Sequence, residues 1–260
     1  MSYYIHPDVL TLKTIADNRW KEPSLHSANS PRTKTPHDAQ SLVRLVSNSS
    51  WAVQDPYSEP VTRFIKWYRK GQEMDFKSMD NEKLRDELQS YLADIDDLFF
   101  FGLLTRKVKG KSGTQKLVLL RVTSEAPKGN YCGAYKMEDE GPSIRIHRYD
   151  RQGIIRPFEK FLSTLVHESC HAYLDIFSDT RHSKHQEWVC DYGGHGEMFW
   201  VLFRFIMEKI RAYTRSERWE RQMKDMEYEC VDITKTKGRP GDWGTPARTV
   251  MGGFLSPGYA

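Results

Sequence analysis

The chain has 260 residues, 38% of them hydrophobic and 28% charged, and a formal net charge of +4. That length holds one domain with extensions, or two small ones, and is enough to bury a substantial core. So small a net charge argues against a polyanion-binding protein as a whole.

Residues 1–58 carry Pro7, Pro23, Pro31, Pro36 and Pro56 among many Ser, Thr, Asn and His. They read as a mostly irregular N-terminal arm with one short helix near Ala39 to Val46. No basic region followed by an apolar run opens the chain, and no apolar stretch is long enough to cross a membrane. The expectation is an intracellular protein, nuclear or cytoplasmic, with no membrane partner. The four cysteines, Cys132, Cys170, Cys190 and Cys230, form no Cys-x-x-Cys, which excludes a thiolate zinc ribbon.

Pro60 to Arg69 places Val61, Phe64, Ile65 and Tyr68 on one face of a short helix. Asp80 to Phe101 is a stronger helix, with a stripe of Leu84, Leu88, Tyr91, Leu92, Ile95, Leu98 and Phe99. Asp80 suits its N-cap and Gly102 its end. Three strands are expected next: Lys116 to Thr123, Asn130 to Met137 and Ser143 to Tyr149. Between Phe101 and Asn130 seven basic residues face only Glu125. Such a patch could track phosphates, but with no ribbon and few interleaved aromatics a solvated hairpin whose lysines protect an edge is the favoured reading.

Pro157 to Phe177 has a helical period of apolar residues and contains His167-Glu168-Ser169-Cys170-His171. Residues four apart share a helix face, so both imidazoles can address one ion. Glu168 lies beside the first ligand without being one, in reach of a metal-bound water. Zinc lowers the pKa of such a water to about 7, and a carboxylate can take its proton as it attacks a carbonyl. The inner residues Ser169 and Cys170 are uncharged, as a buried ligand helix requires. Leu174 and Phe177 stand where a metzincin needs Gly and His, which excludes that class.

A catalytic zinc needs a third protein ligand and an open fourth position. His195, set between Gly194 and Gly196 just before the apolar-periodic segment Phe199 to Ile210, is the best candidate. His182, His185, Glu187 and Glu197 are alternatives. Beyond Ile210 the helix is expected to continue to about Met226 with mixed charges on a solvated surface. Residues 226–260 form a Gly- and Pro-rich extension that still carries Trp243, Met251, Phe254 and Leu255.

The pair His167-Glu168-x-x-His171-Ala172-Tyr173 and His195-Gly196-x-x-Phe199 resembles the SprT-like metalloprotease domain family, the Spartan-like zincins. Leu98 to Leu104, Tyr131-Cys132-Gly133 and Ile144-Arg145-Ile146 are similar to the segments that precede the active-site helix there. The resemblance covers roughly residues 80 to 215. It implies an α+β, zincin-like fold with a small, mostly antiparallel sheet packed on the motif helix, over residues 59–225. It also implies one catalytic Zn2+ on His167, His171 and His195, with Glu168 as catalytic base. The substrate class it implies is protein or peptide, including protein bound or crosslinked to DNA. Two features depart from the family: a longer polar stretch between His171 and His195, and no zinc ribbon after the protease core.

Zincins run an extended substrate along an edge strand beside the metal. Here that strand is expected to be Ser143 to Tyr149, with Ser143, Ile144, Arg145, Ile146 and His147 along the peptide. Two readings compete with a DNA-linked protease: a general zinc protease unrelated to DNA, and a non-catalytic, zinc-stabilised binding module.

Overall fold

The structure is a computed structural model that describes residues 6–18, 37–110, 113–127, 129, 131–216 and 218–219. The chain is α+β. Its helices are α1 (Pro7–Asn18), α2 (Ala39–Ser49), α3 (Trp51–Gln54), α4 (Glu59–Glu73) and α5 (Asn81–Phe100). The strands β1 (Lys107–Gly110), β2 (Gly113–Lys116), β3 (Leu119–Thr123), β4 (Gly133–Glu138) and β5 (Gly141–His147) follow. Then come α6 (Phe158–Phe177), a π-helical turn (Gln186–Cys190), α7 (Asp191–Gly194) and α8 (Glu197–Thr214). No helix among the described residues is long and apolar enough to cross a membrane.

The short helix expected near Ala39 to Val46 is α2, while α1 and α3 add helix where residues 1–58 were expected to be irregular. In α2, Leu42, Val43, Leu45 and Val46 are buried against the rest of the core, and Asp38 caps the helix by accepting from the Ser41 amide at 2.7 Å. Such a cap stabilises a helix by about 1 kcal/mol. Pro7 opens α1, a position where its missing N–H costs nothing.

α5 starts where its cap predicts, with Asp80 accepting from the Lys83 amide at 2.8 Å. It ends at Phe101, whose φ of 61° is left-handed, one residue before the expected Gly102. Arg63 ties α4 to this helix. Its guanidinium donates to Asp94 and Asp97, each at 2.6 Å, and to Glu59 on its own helix.

The main sheet has the order β3-β5-β4. β3 runs parallel to β5, and β4 pairs with it antiparallel. β1 and β2 form a separate antiparallel hairpin. The single strand expected over Lys116 to Thr123 is therefore two. At the break, the Leu117 amide bonds the Arg106 carbonyl at 2.8 Å and the Val118 amide bonds the Leu104 carbonyl at 2.9 Å. Both side chains are fully buried, so the run stays apolar while the backbone changes partner.

A second correction concerns Ser143, Ile144, Arg145, Ile146 and His147. They lie in β5, the central strand, with neighbours on both sides. No peptide can add to it. Ser143 and His147 are buried, so the polar positions that read as an exposed face are covered. The edge strand that packs on α6 is β4.

The basic run around the hairpin is also partly spent. Arg106 pairs with Asp17 of α1 at 2.6 Å, and Arg121 pairs with Glu138 and Glu140.

α6 is the central element. β4, β5, α5, α8 and α2 all pack on it. Of its residues, only His171 and Asp175 are not buried. A helix that is apolar on most sides belongs in an interior, and this one is enclosed accordingly. α8 stops at Thr214, with Arg215 left-handed at φ 52°, rather than continuing to Met226. The chain turns back there. Trp219 is fully buried, its ring 5.7 Å from that of Tyr68, and its indole N–H donates to the Thr214 hydroxyl at 2.8 Å. The extension over residues 226–260 lies outside the described residues.

Candidate metal centre

The helical period of α6 puts His167 and His171 on one face, one turn apart. His195 reaches them from the short link between α7 and α8. The three Nε2 atoms form a near-equilateral triangle: 3.2 Å from His171 to His167, 3.2 Å from His171 to His195, and 3.0 Å from His195 to His167.

That triangle is chemically unusual. Each nitrogen either carries a proton or offers a lone pair. Among three such atoms, at least two are alike, so at least one edge sets proton against proton or lone pair against lone pair. No choice of tautomers removes the conflict. A cation that accepts all three lone pairs does. Burial and the neighbouring imidazoles push the proton affinities of His167 and His171 well below the ordinary value, which keeps the lone pairs available. Zinc holds imidazole nitrogens at about 2.0–2.1 Å in tetrahedral geometry, which separates them by roughly 3.3 Å. The observed spacing fits that requirement. Among the described residues this is the one histidine, cysteine or carboxylate group arranged to hold a metal ion, and it could do so.

Aromatic rings fix the imidazoles. Phe199 stacks on His171 with centroids 4.3 Å apart, and meets His167 and His195 edge-on at 4.8 Å each. Phe203 closes on His167 at 5.5 Å and Trp200 on His195 at 5.7 Å. The Nδ1 of His167 is buried and finds no hydrogen-bond partner among the described residues. Packing between Phe199 and Phe203 therefore orients this ring.

Close backbone approach places His195. A Cβ on Gly196 would stand 2.4 Å from the Trp188 carbonyl carbon and 2.5 Å from the Glu187 carbonyl oxygen. Only glycine lets the chain pass the π-helical turn at this distance.

Glu168 is buried on α6, next to His167. Its Oε2 accepts from the Tyr135 amide of β4 at 2.7 Å. Burial pushes its pKa up to about 8, and the Tyr135 amide pulls the other way. Gly133 permits the approach of strand to helix: a Cβ there would meet Thr164 Cγ2 at 2.6 Å and the Arg145 carbonyl at 2.9 Å.

The alternative third ligands stand elsewhere. His182 stacks on Trp188 at 5.0 Å, His185 Nδ1 lies 3.3 Å from the Ser178 hydroxyl, and neither Glu187 nor Glu197 joins the cluster. Tyr173 points into the core, 5.0 Å from Phe100. Asp175 accepts from the Tyr135 hydroxyl at 2.8 Å. Sequence reasoning missed Tyr135, whose amide contact no motif encodes, and the role of Phe199, whose position four residues after His195 was a readable signal.

Compared with known proteins, the chain matches no family model, no curated sequence and no solved structure, so the geometry of the centre itself carries the functional reading.

Proposed function

We propose that the protein is a zinc-dependent peptidase of the SprT-like, zincin type, with His167, His171 and His195 as ligands and Glu168 as proton acceptor. One observation carries the reading. Three imidazole nitrogens converge to 3.0–3.2 Å while a buried carboxylate occupies the next position on the same helix. A closed structural site would need a fourth side chain, and the described residues bring none to the cluster.

Bound zinc supplies a Lewis acid that polarises a carbonyl and a coordinated water of pKa about 7. The residues do the rest. Phe199, Phe203 and Trp200 exclude water behind the imidazoles. Glu168, next to the first ligand on the same helix, would take a proton from the coordinated water and deliver it to a leaving amine. His171 and Asp175 mark the open strip of α6, and β4 borders it as an edge able to receive an extended chain.

The test is zinc content together with cleavage of an unfolded protein substrate. The native protein should bind about one zinc per chain and cleave. Glu168→Gln should keep the zinc and lose roughly 10²-fold or more in kcat, the share expected of a general base. An active Glu168→Gln protein would sink the mechanism. The link to DNA-bound or DNA-crosslinked substrates rests on the motif resemblance, and stimulation of cleavage by DNA tests it. One observation favours the non-catalytic module instead: Glu168 already has a structural use, as acceptor for Tyr135. Zinc without cleavage in the native protein would select that reading.

A further inference from the structure

One stripe of α6 joins the buried Glu168 to the two residues of the helix that are not buried. Glu168, His171 and Asp175 are spaced three and four apart, so they line up along the helix. A single residue of the facing strand bonds both ends of that stripe. The amide of Tyr135 donates to Glu168 at 2.7 Å, and its hydroxyl donates to Asp175 at 2.8 Å. The Tyr135 side chain therefore runs parallel to α6, past the position of His171. That histidine is the least buried of the three candidate ligands.

The two bonds act on each other through the strand. In an antiparallel ribbon, alternate amides face the partner strand and the rest face outward. The Tyr135 amide is one of the outward ones, committed to Glu168. Its position depends on how firmly the edge of β4 is held, because an edge strand has a neighbour on one side only. The hydroxyl contact with Asp175 ties that edge to α6 at a second point, about two helical turns from Glu168. Gly133, at the other end of the contact, brings the strand against Thr164 and Glu168.

We infer that Tyr135 is a positioning residue for Glu168: its amide holds the carboxylate, and its hydroxyl, latched on Asp175, fixes where that amide stands. This inference rests on Glu168 being the proton acceptor of the reaction proposed above. Asp175 then serves the latch rather than any imidazole.

The experiment compares the native protein with Tyr135→Phe, Asp175→Ala and Asp175→Asn, the last of which keeps an acceptor for the hydroxyl. Zinc content and melting temperature first establish that each variant is folded with its centre intact. Amide hydrogen exchange at residue 135 is then measured by NMR, and kcat and KM are measured on an unfolded protein substrate. Tyr135→Phe and Asp175→Ala should speed exchange at that amide by about tenfold or more, and Asp175→Asn should retain most of the protection. In the same order, kcat should fall by roughly tenfold or more with KM little changed, since misplacing a reacting group costs rate rather than binding. Unchanged exchange in Tyr135→Phe would overturn the inference. So would faster exchange with unaltered kcat. If the native protein binds zinc and cleaves nothing, the peptidase reading fails by itself. The exchange comparison still decides whether the hydroxyl holds the amide on Glu168.

Discussion

The Nε2 atoms of His167 and His195 stand 3.0 Å apart although 28 positions separate them in the chain. Between them lie the end of α6, the polar segment around His182, the π-helical turn and α7. The centre is therefore a tertiary object, and removing one distant member should dismantle it. His195→Ala should lose most of the bound zinc by elemental analysis. Chelation should lower the melting temperature of the native protein and leave that of the variant almost unchanged. A ligand present at a hundred times its Kd stabilises by about 2.7 kcal/mol, which sets the scale of the difference.

Gly196 offers a test of how His195 is placed. Gly196→Ala would set a Cβ against backbone atoms of Glu187 and Trp188, which cannot swing aside as a side chain would. Overpacking of this kind costs about 1–3 kcal/mol. The expected result is a lower denaturation midpoint together with weakened zinc binding. Gly102→Ala, at a site where the added carbon meets nothing within 4 Å, should leave zinc binding intact and cost only backbone strain at its φ of 69°.

Asp96 should give the fold a pH dependence. It is fully buried at the end of α5 and accepts from the Leu104 amide at 2.9 Å, the Thr105 amide at 2.7 Å and the Thr105 hydroxyl at 2.6 Å. Burial pushes its pKa from 3.8 up to about 7, against the pull of those three donors. The folded value lies above the unfolded one, so the folded state prefers the protonated group. Its contribution is complete below about pH 4 and is lost as pH rises towards 7, at up to about 1.4 kcal/mol per unit. Asp96→Asn removes the titration. Denaturant melts should show the native protein losing stability relative to that variant between pH 4 and 7, with a constant difference above. Asp96→Ala, which strands three donors, should cost about 2–3 kcal/mol at neutral pH.

Trp219 carries the core beyond the end of α8. Its full burial against Tyr68 predicts that Trp219→Ala costs about 3–5 kcal/mol. A chain ending at residue 215 should therefore melt well below the native protein.

Periodicity made α5 and α6 legible, because a stripe or an all-apolar helix leaves its period in the residues themselves. The spacing of His167, Glu168 and His171 and the glycines around His195 were legible for the same reason: local geometry restricts which residues can stand there. What periodicity does not encode is which strand is flanked by which. Ile144 and Ile146 alternate with Arg145 and His147 whether β5 sits at an edge or at the centre, so its central place could not be read. Leu117 and Val118 stay apolar through a change of backbone partner, which hid the break between β2 and β3. α2 was legible as a short helix near Ala39 to Val46, whereas α1 was not: it is held by packing of Val9, Leu12 and Ala16 on the core rather than by propensity.

α6 leaves only His171 and Asp175 open to the surroundings. Its other residues form the packed interior, including the side chains on either side of each chemical group. Evolutionary room is therefore narrow along this helix. A lineage altering Ser169, Cys170 or Ala172 would repack the interior at the same moment that it moved His167 or His171. Changes can accumulate more freely at Lys136 and Met137, the exposed positions of β4.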